Sequence, residues 1–220
     1  MFDNLISLIP DIGKAISQTG IMLSISVGSA VLLGIPIGVL LYFTAKGQIY
    51  EKPFVFHIVN YCVNTIRSLP FIILLVAIIP LTRSIAGTTI GPVAASVPLS
   101  IAAVAYFARL VEQSLREVPK GAIEAALAMG AAPLHITWKV LLGEARSGIV
   151  LGVTVTTISL LSYSAMAGYV GGGGIGDLAV RFGYYRFQTD VMIFTVVLLI
   201  VVVQLIQFAG NLLAKKLDKR

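Results

Sequence analysis

Four long stretches of this chain carry no charged residue: Ala15 to Ala45, Ser84 to Ala108, Ser147 to Gly176 and Val191 to Ala214. An α-helix needs about 20 apolar residues to cross the hydrocarbon core of a bilayer. Water is absent there, so each backbone N–H and C=O must be satisfied within the spanning element. The runs place helical spans at 21–43, 88–108, 149–169 and 191–212. A further apolar segment, 60–81, is interrupted by Arg67. A charge at the bilayer centre costs about 2.5–3.5 kcal/mol on insertion scales. Close to an interface, arginine extends its head to the headgroups at lower cost. Arg67 therefore places the start of this span near an interface, with Pro70 bending the helix just beyond it. Composition agrees: 57% of the 220 residues are hydrophobic and 12% are charged, against about 25% charged in ordinary soluble domains. The fold class expected is all-α, a single polytopic membrane domain over 1–220 with five transmembrane helices.

An odd number of spans puts the termini on opposite sides, and basic residues set the direction. One side collects Lys46, Lys52, Arg67, Arg109, Arg116, Lys120, Lys139, Arg146, Lys215, Lys216, Lys219 and Arg220; the other collects Lys14, Arg83, Arg181 and Arg186. The C-terminus and the 109–147 loop are thus expected in the cytoplasm, and the N-terminus outside. Phe2, Leu5, Ile6, Leu8 and Ile9 suit an amphipathic segment lying along the outer surface. The start has no basic region or small-residue cleavage site, which argues against a removed signal peptide. The net charge of +6 does not indicate nucleic acid, since the basic residues lie between apolar spans and at the C-terminus. The closing "KKLDKR" is expected at the anionic inner leaflet and its lipid. Cys62 is alone, so neither a disulfide framework nor a cysteine metal cluster is expected. His57 and His135 are too far apart in sequence to suggest a metal pair. No GxxxxGK[ST] phosphate loop is present, so ATP hydrolysis is not expected in this chain.

The 109–147 loop is too long for an idle helix–helix link, which usually takes about 2–8 residues. Glu112 and Arg116 stand at i and i+4 in the favourable order and extend the third span into the cytoplasm. Pro119 suits the first turn of a new helix. Ala122, Ala125, Ala126 and Met129 then fall at i, i+3, i+4 and i+7, one smooth face with Glu124 beside it. Gly130 suits a left-handed cap, and Pro133 opens a second helix carrying Leu134, Trp138 and Leu141. Glu144 and Arg146 read as a solvated pair. The smooth face admits a close partner; equally, alanines merely promote helix.

Glu124-Ala125-Ala126, three residues and then Gly130 resemble the cytoplasmic motif of permease subunits of bacterial ATP-binding-cassette importers. In that family an isoleucine, any residue, leucine and proline follow; here stand Val140, Leu141, Leu142 and Gly143. "NTIRSLPFIILLVAIIPLTR" and "LLSYSAMAGYVGGGGIGDLA", with "GIPIGVLLYFT" and "LIQFAG", are similar to the permease subunits of bacterial methionine importers. The resemblance implies a type I importer permease in the inner membrane, working as a homodimer. It implies two separate ATPase subunits, which bind the ATP and magnesium, and an extracytoplasmic methionine-binding protein. It also implies that Glu124, Ala125, Ala126, Met129 and Gly130 couple to the ATPase, with no catalytic residue and no cofactor in this chain.

"GGGGIG", 171–176, contains GxGxxG, but a dinucleotide site needs a preceding strand and a following acid. Here the preceding element is a membrane helix, so a flexible extracytoplasmic turn is expected. Thr156, Ser159, Tyr163 and Met166 share an arc of about 80° on the fourth span, a candidate solute path. The bland alternative is packing, because Ser and Thr bond their own helix or a neighbour. Gly148 and Gly152 form a small-xxx-small pair suited to close helix contact. The rival functions are a permease for another amino acid, an ion-coupled secondary transporter and an intramembrane enzyme. The last two usually place ionisable groups at mid-membrane, where these spans have none.

Overall fold

The computed structural model describes residues 8–218 except Ile49. Phe2, Leu5, Ile6, Lys219 and Arg220 lie outside the described residues. The described chain is all-helical, and its helices pack around α5 (Pro92–Arg116). Ahead of α5 come α1 (Ile9–Thr44), α2 (Pro53–Ser68), α3 (Phe71–Ala77) and α4 (Ile79–Ala86). After it come α6 (Lys120–Ala128), α7 (residues 133–144), α8 (Arg146–Gly172), α9 (residues 174–184) and α10 (Thr189–Leu217). Among the described residues four helices, α1, α5, α8 and α10, are long and apolar enough to cross a membrane; α2 with α3 makes a fifth candidate span.

The first span is longer than expected. Residues from Ile9 onward, read from sequence as a surface segment, continue without a break into α1. Pro10 sits in its first turn, where a missing N–H costs nothing. Midway, Ala30–Gly34 widens into a π turn just ahead of Pro36. Such a turn absorbs the lost donor and the ring of an internal proline.

The second candidate span is broken rather than bent. α2 and α3 meet at 106°. Pro70 disfavours the α conformation at the residue before it, and Leu69 is extended, with φ −82° and ψ 133°. Arg67 is exposed in the last turn of α2, where a cation suits the helix dipole.

In lipid no hydrophobic force drives apolar helices together, so close packing at small residues has to hold them. α1 crosses α5 at Gly34 and Gly38: a Cβ on Gly38 would lie 2.6 Å from the Ala108 carbonyl oxygen. α8 meets α5 at Gly148 and Gly152, against Ser114 and Phe107, as the small-residue spacing indicates. α10 meets α8 where Gly210 rests on Thr154. Arg146 does not form the expected solvated pair. Its Nε donates to the Leu217 carbonyl at 2.9 Å, and Ser147 Oγ donates to Ala214 O at 3.2 Å, closing the last turn of α10. At its other end Val191 packs on Leu178 and Phe182 of α9; between these contacts α10 is largely bare, with Ile200, Leu205 and Phe208 exposed.

Candidate functional site

The loop after α5 folds as a capped helix pair. Pro119, with ψ 127°, precedes the first helical residue of α6 rather than occupying its first turn. Gly130 takes φ +74°, a conformation that glycine enters without steric cost. Its N–H donates to Leu127 O at 2.9 Å, and the Ala131 N–H donates to Ala126 O at 3.0 Å. This pairing is a Schellman cap, which satisfies carbonyls left over at a helix end. The chain then turns into α7, which remains helical through Gly143 to Glu144.

The single smooth face expected on α6 is divided. Ala126 is 4% exposed, packed in one cluster with Leu115, Val118, Ile136 and Leu141. Ile123 and Ala131 border that cluster. Its neighbour Ala125 points the other way, as do Glu124, Leu127 and Ala128. Met129, at the end of the helix, is 80% exposed. Glu124 makes no ion pair among the described residues. The inward row thus fastens α6 to α7 and to the end of α5. The outward arc offers a carboxylate, two alanines and two flexible apolar side chains. Trp138 and Leu134 on α7 are exposed as well, beside a groove of about 610 Å³ that runs to the end of α1.

Directly before this loop lies a group that the sequence pattern did not distinguish from a surface pair. Glu112 is 2% exposed. One of its oxygens accepts from Arg109 at 2.5 Å, the other from Arg116 at 2.8 Å. Both cations sit one turn from it on α5. The i,i+4 spacing was legible; its burial was not.

On α8, Thr156 is buried and donates to Gly152 O at 2.7 Å. Ser159 donates to Val155 O at 3.0 Å. Tyr163 stacks on Phe71 of α3, centroids 4.8 Å apart and planes within 9°. Met166 is 48% exposed. The four differ in setting, from the buried hydroxyl of Thr156 to the open thioether of Met166. Thr157 and Ser164 also donate to their own helix, at 2.8 and 2.7 Å, so most hydroxyls of this span serve the backbone.

The glycine run is a packed corner between α8 and α9. Gly171, Gly173 and Gly174 take positive φ. A Cβ on Gly176 would lie 2.3 Å from Ala165 Cα. Gln18 Oε1 on α1 accepts from the Gly174 N–H at 2.9 Å, and Thr19 Oγ1 accepts from Ile175 N–H at 3.0 Å. With a membrane helix before it and its amides already bonded, the segment has no strand–turn–helix phosphate cradle. Nearby, the Tyr169 and Tyr185 hydroxyls are 3.2 Å apart, and this hydrogen bond raises the Tyr185 phenol above its ordinary value.

These features define a class: a polytopic helical membrane subunit carrying a rigid helix pair on the loop between two spans. The chain belongs to the family described as binding-protein-dependent transport system inner membrane component, which matches residues 34–220. It is 50% identical over 203 residues to a probable D-methionine transport system permease protein MetI of Vibrio cholerae, covering 92% of this chain and 90% of the relative. It is 41% identical over 181 residues to the methionine import system permease protein MetP of Bacillus subtilis, covering 82% of each. A solved structure of the MetNI methionine ABC transporter in an inward-facing conformation contains a chain that superposes with a TM-score of 0.94. That chain shares 44% identity, with 100% of both chains covered. As a member of this family the chain is a multi-pass component of the inner membrane and non-catalytic.

Proposed function

We propose that this chain is the permease subunit of an ATP-driven methionine importer. Residues 1–220 form one transmembrane domain, N-terminus outside and C-terminus cytoplasmic. It works as a homodimer, served by two separate ATPase subunits and an extracytoplasmic methionine-binding protein. The observation that carries the reading is the capped α6–α7 pair at the junction of α5 and α8. A chain without a phosphate loop must receive its work through a contact. Driving a two-state pore from 1:99 to 99:1 takes about 5.5 kcal/mol of differential binding, and only a loop fixed to the spans transmits that.

Within the loop 109–147 the roles divide. Glu124, Ala125 and Met129 meet the ATPase, with Glu124 facing a basic side chain. Ala126 and Gly130 hold that surface in shape, one by packing inward and one by capping. Thr156, Ser159, Tyr163 and Met166 mark the α8 side of the solute path, completed by a second copy. Lipid covers the remaining apolar surface.

The test is purification in mild detergent followed by reconstitution. An ATPase of separate chain is expected to co-purify in equal number, and vesicles are expected to take up methionine only with ATP and binding protein. Uptake by the isolated chain, or uptake driven by an ion gradient without ATP, refutes the proposal. Preference for a different amino acid refutes the substrate alone.

A further inference from the structure

α2 is the most lightly held of the candidate spanning elements. Val63 is its one buried residue, where it meets Leu41 of α1 and Ala105 of α5. A polar tether supplements that contact. Asn60 and Asn64, one turn apart, both present Oδ1 to Nη2 of Arg109, at 2.6 and 2.8 Å. The other arm of Arg109, Nη1, donates to the buried Glu112. Glu112 in turn accepts from Arg116 Nε at 3.1 Å and Nη2 at 2.8 Å. Arg116 ends α5, and α6 begins at Lys120. At the far end of α2 come the break at Leu69–Pro70 and Phe71, stacked on Tyr163.

We infer that Arg109, oriented by Glu112, is the positioning residue that passes displacement of the α6–α7 loop to α2, and through the break to Tyr163. This rests on reading the chain as an importer permease. The chemistry suits a rigid link. A buried carboxylate shared by two guanidiniums holds both in place, and the planar fork of arginine bonds in several directions at once. Lysine, a compact point charge, cannot reproduce that fork. α2 has little else to hold it, so it moves with whatever grips it. Spatial continuity alone does not establish transmission, so the test must read coupling.

The complete transporter, permease with its ATPase and binding protein, is reconstituted, and methionine uptake and ATP hydrolysis are measured together. Asn60→Leu with Asn64→Leu, and separately Arg109→Lys, are expected to leave hydrolysis near wild type. Uptake per ATP falls about 5–150-fold, the usual range for coupling between sites. Asn60→Asp keeps an acceptor for Arg109 and is expected to retain the ratio. A second measurement needs no solute. Spin labels at Tyr61→Cys and Leu213→Cys, in a Cys62→Ala background, report the distance from α2 to α10. That distance is expected to change with nucleotide, and the change is expected to vanish in the double leucine variant. The inference is overturned if uptake per ATP is unaltered, if both activities fall together with the yield of assembled complex, or if the distance change survives. A wild-type complex that shows the distance change but moves no methionine refutes the substrate reading and leaves the tether standing.

Discussion

Ala125 and Ala126 are adjacent, chemically identical and oppositely placed, so one substitution made at both separates docking from folding. Ala126 is 4% exposed against Ile136, Leu141 and Val118. Leucine there adds three heavy atoms to a filled site, and overpacking of this kind costs about 1–3 kcal/mol. The loop helices close on few other contacts, so that cost falls on the opening of α6 itself. It corresponds to about 5–150-fold more frequent opening. Ala125 faces outward, and surface substitutions usually stay within about 0.5 kcal/mol. Amide exchange across Lys120–Ala128 is the assay. Ala126→Leu is expected to accelerate exchange by the factor above, while Ala125→Leu leaves it unchanged. Co-purification is the second assay: Ala125→Leu is expected to weaken association with the ATPase though its helix is intact. Equal exchange at the two positions would refute the division of α6 into an inward and an outward row. Normal ATPase association in Ala125→Leu would remove the outward arc from the docking surface.

Gly130→Ala places a Cβ at φ +74° and is expected to cost about 1–2 kcal/mol of α6 stability, read by the same amide exchange. Gly176→Ala is expected to abolish the monodisperse detergent peak, because its Cβ would meet the Ala165 backbone at 2.3 Å. Gly143→Ala, with nothing within 4 Å of its Cβ, is expected to behave as wild type in that chromatogram. Lys120→Cys in a Cys62→Ala background is expected to react with an impermeant maleimide only in inside-out vesicles, and Arg186→Cys only in right-side-out ones; the reverse pattern would invert the orientation. Tyr163→Ala, which removes the Phe71 stack, is expected to change the apparent KM for methionine uptake more than the amount of protein in the membrane.

The spans were legible because charge is absent over long intervals, and a bilayer tolerates little else. Pro70 announced a bend, but not a turn through 106°, since its size depends on where α3 finds a partner. The left-handed cap at Gly130 followed from glycine's place after an alanine-rich run. The side of α6 that turns inward did not follow. Periodicity ranks the faces of one helix by its own residues, whereas Ala126 is claimed by Ile136 and Leu141 from the next. Glu112 shows a related blindness: an i,i+4 pair has one spelling whether water or a second arginine, itself tied to Asn60 and Asn64, stands beside it. Arg146 was misread because its acceptor, the Leu217 carbonyl, lies 71 residues away.

The glycine corner carries a consequence for biogenesis. Its amides at Gly174 and Ile175 are received by Gln18 and Thr19, 156 residues upstream. α9 is short and glycine-broken at its start, so it cannot traverse the bilayer as an independent helix. During synthesis the first helix must therefore wait in the membrane, its glutamine and threonine unmated, until most of the polypeptide has left the ribosome. Closure of the corner is therefore a late step of assembly, made only once α8 and the start of α9 are in place.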